Sequence, residues 1–313
     1  MIKYLDDIKE GELFSAYLAR LFEQSVFIYP KQFEQEIFSH KQRLDHLHIN
    51  KLNSDFQKLL DKNFGFENII LNHTLVGFEN LFGNYKPKIS KKRYIRYCPD
   101  CIREGNVIRV VHQIEGINCC PYHECKLENS QVSLNREKNY RIQKFSFYFD
   151  DKSIFAKKLK SDDINVKLAK YIKDILNVPR NALKYRNTGG LLRSYMPQKY
   201  FIANTRVQLN VKKLLKAINS FYKGLDGYHL TERRLKLILN NETYNPFFII
   251  LIAFFLNIEP FKLVNCIFKE RKQIRMMVRK QKKAGLTERE IAKSNHISKT
   301  NVHKILQKST LRN

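Results

Sequence analysis

The chain has 313 residues, 43% of them hydrophobic, which is room for two or three domains with cores of their own. Lys and Arg number 57 against 30 Asp and Glu, a formal net charge of +27, so nucleic acid is the first partner to consider, because release of counterions drives such binding. The longest apolar run, Phe247 to Leu256, is ten residues, about half of a bilayer span. The N-terminus carries no basic segment followed by an apolar one, so no signal peptide is expected. Five of the six cysteines fall between Cys98 and Cys125, which argues for metal in a reducing compartment over a disulfide scaffold. A soluble, cytoplasmic protein associated with the nucleoid is expected, with no membrane partner.

From the N-terminus, apolar residues at Phe14, Tyr17, Leu18, Leu21 and Phe22 make one helical stripe, and Phe33 and Ile37 after Pro30 make a second. Residues 83–92 hold Gly, Asn, Pro and Ser among four Lys, the chemistry of a linker. Beyond the cysteines, the aromatic segment Tyr140 to Phe149 reads as a strand. Helical spacing returns at Ile164, Leu168, Ile172, Ile175 and Leu176, with Asp162 and Asp163 as caps. Further helices begin near Val211, ending at Gly224, after Thr231, and at Asn245-Pro246, where Asn caps and Pro takes the first helical position. The uncharged run after Pro246 reads as a helix buried on all sides. The fold expected is mainly α: a helical N-terminal domain, a small zinc-ribbon-like knuckle with short β, and C-terminal helix-turn-helix units. The segments would be 1–92 helical, 93–130 the knuckle, 131–200 a connecting α/β segment, 201–268 a helical scaffold and 269–313 a basic DNA-binding segment.

Cys98-Pro99-Asp100-Cys101 is followed by Cys120-Pro121-Tyr122-His123. Each pair sets two ligands two residues apart, the spacing at which a tight knuckle aims both at one ion. Three thiolates and an imidazole fill a tetrahedral shell suited to zinc, with no position left for water, so Cys98, Cys101, Cys120 and His123 are expected to hold a structural Zn2+. Cys119 competes with Cys120 for the register, and the Cys-Pro-x-His order favours Cys120. Cys125 reads as a bystander, His112 as a packing or DNA-proximal residue, and Cys266 as core. No His-Glu-x-x-His, Walker loop or Gly-x-Ser-x-Gly is present, so no catalytic residues are assigned and the protein is not expected to be an enzyme.

From Lys269 to Asn313 there are fourteen Lys or Arg against three Glu, a net of +11. Thr287 with Glu290 forms a capping box, Ile291 and Ala292 face inward, Asn295-His296 turns the chain and Ile297 plugs the core. Ser298 then caps a helix running to Lys308, whose buried face is Val302, Ile305 and Leu306. This is the pattern of a helix-turn-helix whose second helix reads DNA. Its DNA-contacting residues would be Ser298, Lys299, Thr300, Asn301, His303 and Lys304, with Asn301 able to pair bidentately with adenine and the lysines meeting phosphate. Arg271, Lys272, Arg275, Arg279, Lys280, Lys282 and Lys283 would track the backbone. A second, fainter tri-helical unit spans Thr231 to Phe268.

Several of these motifs together resemble the TniQ/TnsD family of bacterial transposon target-site selection proteins. The family's Glu-x-Leu-x-Ser-x-x-x-Arg type of helix is represented by Glu12-Leu13-Phe14-Ser15-Ala16-Tyr17-Leu18-Ala19-Arg20, and its His-Thr-Leu segment by His73-Thr74-Leu75. The Arg-x-Cys-Pro-x-Cys and Cys-Pro-x-His knuckle is represented by Arg96 to Cys101 and Cys120 to His123. The family's downstream His-Pro-x-x-His-Leu helix start is replaced by Asn245-Pro246-Phe247-Phe248, without the histidines. The resemblance spans about residues 8 to 265. It implies an adaptor that marks a double-stranded DNA attachment site and recruits an AAA+ ATPase regulator (TnsC-like) and the transposase. The N-terminal helices, with Phe and Tyr expected on their exposed side, are the candidate partner face. The alternatives are an RNA-guided adaptor riding on a CRISPR effector complex without sequence specificity of its own, a zinc-containing helix-turn-helix transcription regulator, and a metal-dependent nuclease or hydrolase.

Overall fold

The computed structural model describes residues 7–38, 73, 75, 78, 81, 94–131, 156–178, 188–202, 208–225, 228–240, 245–264, 278–282, 284–294 and 299–310. Their elements are mainly helical, with one small two-stranded sheet. The segments expected as a linker (83–92) and as a strand (140–149), the turn 295–298 with Ile297 and Ser298, Arg271, Lys272 and Arg275, and Cys266 lie outside the described residues. The chain divides into two compact units, one built chiefly from residues 1–81 and 86–177, the other from 178–224 and 228–313.

In the first unit, helix α1 (Phe14–Gln24) carries the expected stripe of Phe14, Tyr17, Leu18, Leu21 and Phe22, all buried. Ala16, Ala19 and Arg20 are buried as well, so the helix is enclosed on nearly every side. Helix α2 (Pro30–Phe38) returns Phe33 against it, its ring stacked on Phe22 at 4.9 Å. Phe14, Tyr17, Phe22 and Phe33 are therefore core, so these helix aromatics do not form the exposed Phe and Tyr face expected. Among the described residues here, the exposed large apolar side chains are Val26, Ile28 and Tyr29, in the segment joining α1 to α2.

Strand β1 (Arg96–Tyr97) pairs antiparallel with β2 (Glu128–Asn129), Arg96 opposite Asn129. Between them lie helix α3 (Pro99–Gly105) and a 3-10 turn (Val110–Gln113). Leu13 N–H donates to the Ile108 carbonyl at 2.7 Å and Val110 N–H to the Gly11 carbonyl at 2.8 Å, so the entry to α1 is laced to the knuckle. Helix α4 (Ile164–Asn177) starts as expected, with Asp163 accepting from the Asn165 N–H at 2.7 Å. It buries Val166, Leu168, Ala169, Ile172 and Ile175.

The second unit contains α5 (Thr188–Ser194), α6 (Val211–Phe221), α7 (Glu232–Leu239), α8 (Pro246–Phe255) and α9 (Pro260–Val264). Asn210, Thr231 and Asn245 cap α6, α7 and α8 through side-chain oxygens. The apolar helix α8 buries Ile249 to Ala253 completely, and the Tyr222 hydroxyl donates to the Leu251 carbonyl at 2.6 Å. Its last turn is less enclosed than the sequence implies, with Phe254 and Phe255 partly exposed beside Phe221. Helices α5 and α7 approach so closely at Gly189 that a Cβ there would stand 2.4 Å from the Leu239 carbonyl oxygen. Toward the C-terminus, residues 278–282 are helical, followed by α10 (Glu288–Ser294) and α11 (Lys299–Thr310). Val278, Ile291 and Val302 form their core, with Leu286, Ala292, Ile305 and Leu306 packed around it.

Candidate metal centre and nucleic-acid interface

Each half of the knuckle is shaped by local backbone chemistry. Cys98 sits in extended conformation at the N-terminus of α3, where its sulfur accepts from the Cys101 N–H at 3.4 Å. One helical turn therefore places Cys98 and Cys101 on the same side. The helix ends at Asn106, which takes the left-handed conformation (φ 54). In the second half, Glu124 N–H donates to the Cys120 carbonyl at 2.9 Å, and Glu124 itself is left-handed (φ 51), closing a tight turn around Pro121 and Tyr122. Cys120 N–H and the Cys125 carbonyl, 2.8 Å apart, hold the two arms of that turn together.

These turns bring Cys98, Cys101, Cys120 and His123 together, their ligand atoms all within 4.8 Å of one another, and the group could hold a metal ion. The Nδ1 of His123 lies 3.4, 3.3 and 3.7 Å from the sulfurs of Cys98, Cys101 and Cys120, and the Cys101 and Cys120 sulfurs are 3.8 Å apart. Ligand lengths typical of zinc give tetrahedral edges of about 3.6 Å from nitrogen to sulfur and about 3.8 Å between sulfurs. The donor set and its spacing thus fit a four-coordinate ion. Cys119 is buried but stands outside this group, which contains Cys120. Cys125 also stands outside it, yet its sulfur is 3.3 Å from that of Cys98, much nearer than its reading as a bystander implies.

The thiols do not titrate alike. Hydrogen bonds from Cys101, then Cys98 and His112, favour the Cys120 thiolate and hold its pKa far below that of an ordinary thiol. Hydrogen bonds with Cys101, then Cys120 and Cys125, push the Cys98 thiol up, and the bond with Cys120 pushes Cys101 up to about 12. Thiols crowded so closely compete for their protons, and a divalent cation would relieve this by taking the three ligand sulfurs as thiolates.

Groups outside the four finish the site. Glu104 Oε1 is 2.9 Å from His123 Nε2. His112 is fully buried, packed as one of its two sequence readings had it, with Nε2 at 3.4 Å from the Cys120 sulfur and outside the ligand group; burial lowers its pKa. Arg96 donates to the carbonyls of Ile114 and Ile117 and clamps the loop leading to Cys120; burial pushes its pKa down to about 10 without discharging it. The Arg109 guanidinium lies over the Tyr122 ring at 3.8 Å.

Glu12, just before α1, and Arg20, within it, form a second buried constellation. Arg20 Nε and Nη2 donate to the two carboxylate oxygens of Glu12 at 3.2 and 3.0 Å, with both side chains almost wholly enclosed. The Glu12 carboxylate also accepts from the Lys9 N–H at 2.9 Å, and Arg20 donates to the Asp7 carbonyl at 3.1 Å. His73 Nδ1 meets the Glu12 carbonyl at 2.9 Å. Three residues singled out by sequence as a family pattern therefore build one polar joint beneath the knuckle.

In the C-terminal segment, Thr287 and Glu290 cap each other as expected: Thr287 N–H donates to the carboxylate at 2.8 Å and Glu290 N–H to the threonine hydroxyl at 3.3 Å. Lys280 and Lys282 are exposed on the helical residues 278–282, and Lys299, Thr300 and His303 are exposed on α11. His303 Nδ1 is 3.3 Å from Glu288 of α10, so this ring has an intramolecular partner. Asn301 and Lys304 lie on α11, with side chains outside the described residues, as are Lys283 and Ser298. The observed helix begins at Lys299 and runs two residues past the expected Lys308, to Thr310.

Residues 6–127 match the TniQ family, and this segment contains both the buried Glu12–Arg20 joint and the Cys/His cluster. The remainder of the chain lies outside the match. A search of curated proteins found no match to the chain. A TniQ domain implies a role in transposition, as a selector of the target site or an adaptor to the transposition machinery. No helix among the described residues is long and apolar enough to cross a membrane.

Proposed function

We propose that the protein is a DNA-binding target-site selector of a transposon, marking an attachment site and recruiting an AAA+ ATPase regulator and, through it, the transposase. The observation that carries this reading is the TniQ-family match across residues 6–127. In it the Cys98, Cys101, Cys120 and His123 group is a structural zinc site. Zinc, when bound, would supply a tetrahedral cross-link between the two turns. The residues around it work as scaffold, Arg96 fixing the intervening loop and the Glu12–Arg20 pair fixing the approach of α1.

The DNA-reading part is α10 and α11, taken as a helix-turn-helix. The net +11 of residues 269–313 and the exposed Lys280, Lys282, Lys299 and Thr300 support it. The backbone-tracking lysines would supply salt-dependent grip, while Asn301, near the start of α11, would carry base recognition. Holding DNA and the ATPase at once raises the local concentration of each for the other, which is what an adaptor contributes in place of catalysis.

The test is capture of genomic DNA fragments by the purified protein at moderate salt, without guide RNA. One sharply enriched site, lost in Asn301→Ala and Lys304→Ala, is the expected result. Binding that is salt-sensitive and blind to sequence would overturn direct site reading and favour an RNA-guided adaptor. Recruitment is tested at Val26, Ile28 and Tyr29, the exposed apolar residues after α1, because deleting residues 1–30 would remove the core helix itself. Retention of the ATPase by a Val26→Ser, Ile28→Ser, Tyr29→Ser variant would refute that placement.

A further inference from the structure

Three thiolates around a divalent cation leave a net negative charge in a buried pocket, and such a site depends on what surrounds its ligands. We propose that His112 and Glu104 are positioning residues of the metal centre, His112 by donating a hydrogen bond to the Cys120 thiolate and Glu104 by holding the His123 ring with Nδ1 toward the thiols. This rests on the reading of the Cys/His group as a zinc site and adds two residues to it that are not ligands.

The tautomer of His112 follows from its neighbours. Its Nδ1 is 3.4 Å from the backbone nitrogen of Arg109, a group that can only donate, so Nδ1 accepts and the ring proton resides on Nε2. Nε2 is the atom that faces the Cys120 sulfur at 3.4 Å. The 3-10 turn that carries His112 is buried throughout, so the ring has no water to turn toward. A neutral N–H donor there draws charge from one thiolate without adding a cation to the pocket.

Glu104 acts from the other side. It lies on the last turn of α3, and Oε1 at 2.9 Å from His123 Nε2 accepts the proton on that nitrogen. The opposite nitrogen, Nδ1, is thereby left as a lone pair facing the sulfurs. The same helix that supplies Cys101 thus also orients the imidazole ligand.

The experiment measures zinc affinity of the full chain by competition with a chromophoric chelator, for Glu104→Ala, Glu104→Gln, His112→Phe and His112→Gln. Alanine at 104 and phenylalanine at 112 are each expected to weaken binding about 10- to 100-fold, the usual effect of losing an outer partner. Glutamine at either site should recover most of the loss, since its carbonyl accepts from Nε2 and its amide donates to sulfur. A residue that only filled space would not distinguish these pairs. Alkylation by iodoacetamide, read by mass spectrometry, should accelerate at Cys120 selectively in His112→Phe.

Unchanged affinity in Glu104→Ala, or in a folded His112→Phe, overturns the role given to that residue. If the buried ring proves indispensable for folding, the Glu104 pair still decides, because that side chain is 65% exposed. Absence of any zinc binding by the unaltered chain would instead overturn the zinc reading itself.

Discussion

The sharpest consequence of the structure concerns the joint under the knuckle. Replacing Arg20 by alanine leaves the Glu12 carboxylate, 0% exposed, with a single backbone N–H in place of two further charge-assisted bonds. Breaking a buried pair from one side costs about 3–5 kcal/mol, because the remaining charge stays desolvated. For a folding unit of this size that corresponds to a loss of roughly 6–20 °C in melting temperature. Removing both charges behaves differently: a Glu12→Gln, Arg20→Met protein keeps the volume and leaves no buried ion, and such exchanges are often neutral or stabilising by about 1–4 kcal/mol. The assay is far-ultraviolet circular dichroism of the zinc-loaded chain in urea and on heating, since the absence of tryptophan removes the usual fluorescence probe. A double variant no more stable than Arg20→Ala, or an Arg20→Ala protein as stable as the original, would refute the argument.

Further consequences follow from other contacts. Cys98→Ser or His123→Ala should release metal and raise hydrogen exchange across residues 94–127; a folded, protected segment in excess chelator would count against a structural site. Gly189→Ala, ordinarily favourable within a helix, should instead destabilise by about 1–3 kcal/mol because its Cβ would meet the Leu239 carbonyl, and an unchanged urea midpoint would show that α5 and α7 can separate freely. Burial lowers the pKa of His73, so the unfolded chain takes up its proton first; stability should fall as pH drops below about 6.5 and be unaffected by this residue above it. His73→Gln should flatten that part of the pH profile, and an identical profile would exclude the effect.

Much of this architecture could be read from short stretches of chain. The caps Asp163, Thr231 and Asn245, and the Thr287–Glu290 box, act within three residues, so the sequence alone located these four helix starts; the cap Asn210 at the start near Val211 came only from the structure. The stripe of α1 and the core of Val302 with Ile305 and Leu306 follow from the same short-range periodicity. The Cys/His set was legible for a related reason: ligands two residues apart in two pairs leave few ways to surround one ion.

What needed the tertiary structure was every question of which surfaces meet. The aromatics of α1 look the same in sequence whether they face solvent, a partner or a core; Phe22 stacked on Phe33 decides for the core. Cys119 and Cys120 are adjacent and chemically alike; the Cys-Pro-x-His order favours Cys120, and the turn closed by Cys125 brings the Cys120 sulfur into the group. His73 reaches Glu12 across 61 residues, and Glu104 and His112 reach ligands 19 and 8 residues away. Local hydrogen bonds and periodicity are fixed by neighbours along the chain. Burial and outer-shell contacts are fixed by the folded packing, because a desolvated charge or a hydrogen-bonded imidazole acquires its partner only when distant segments close around it.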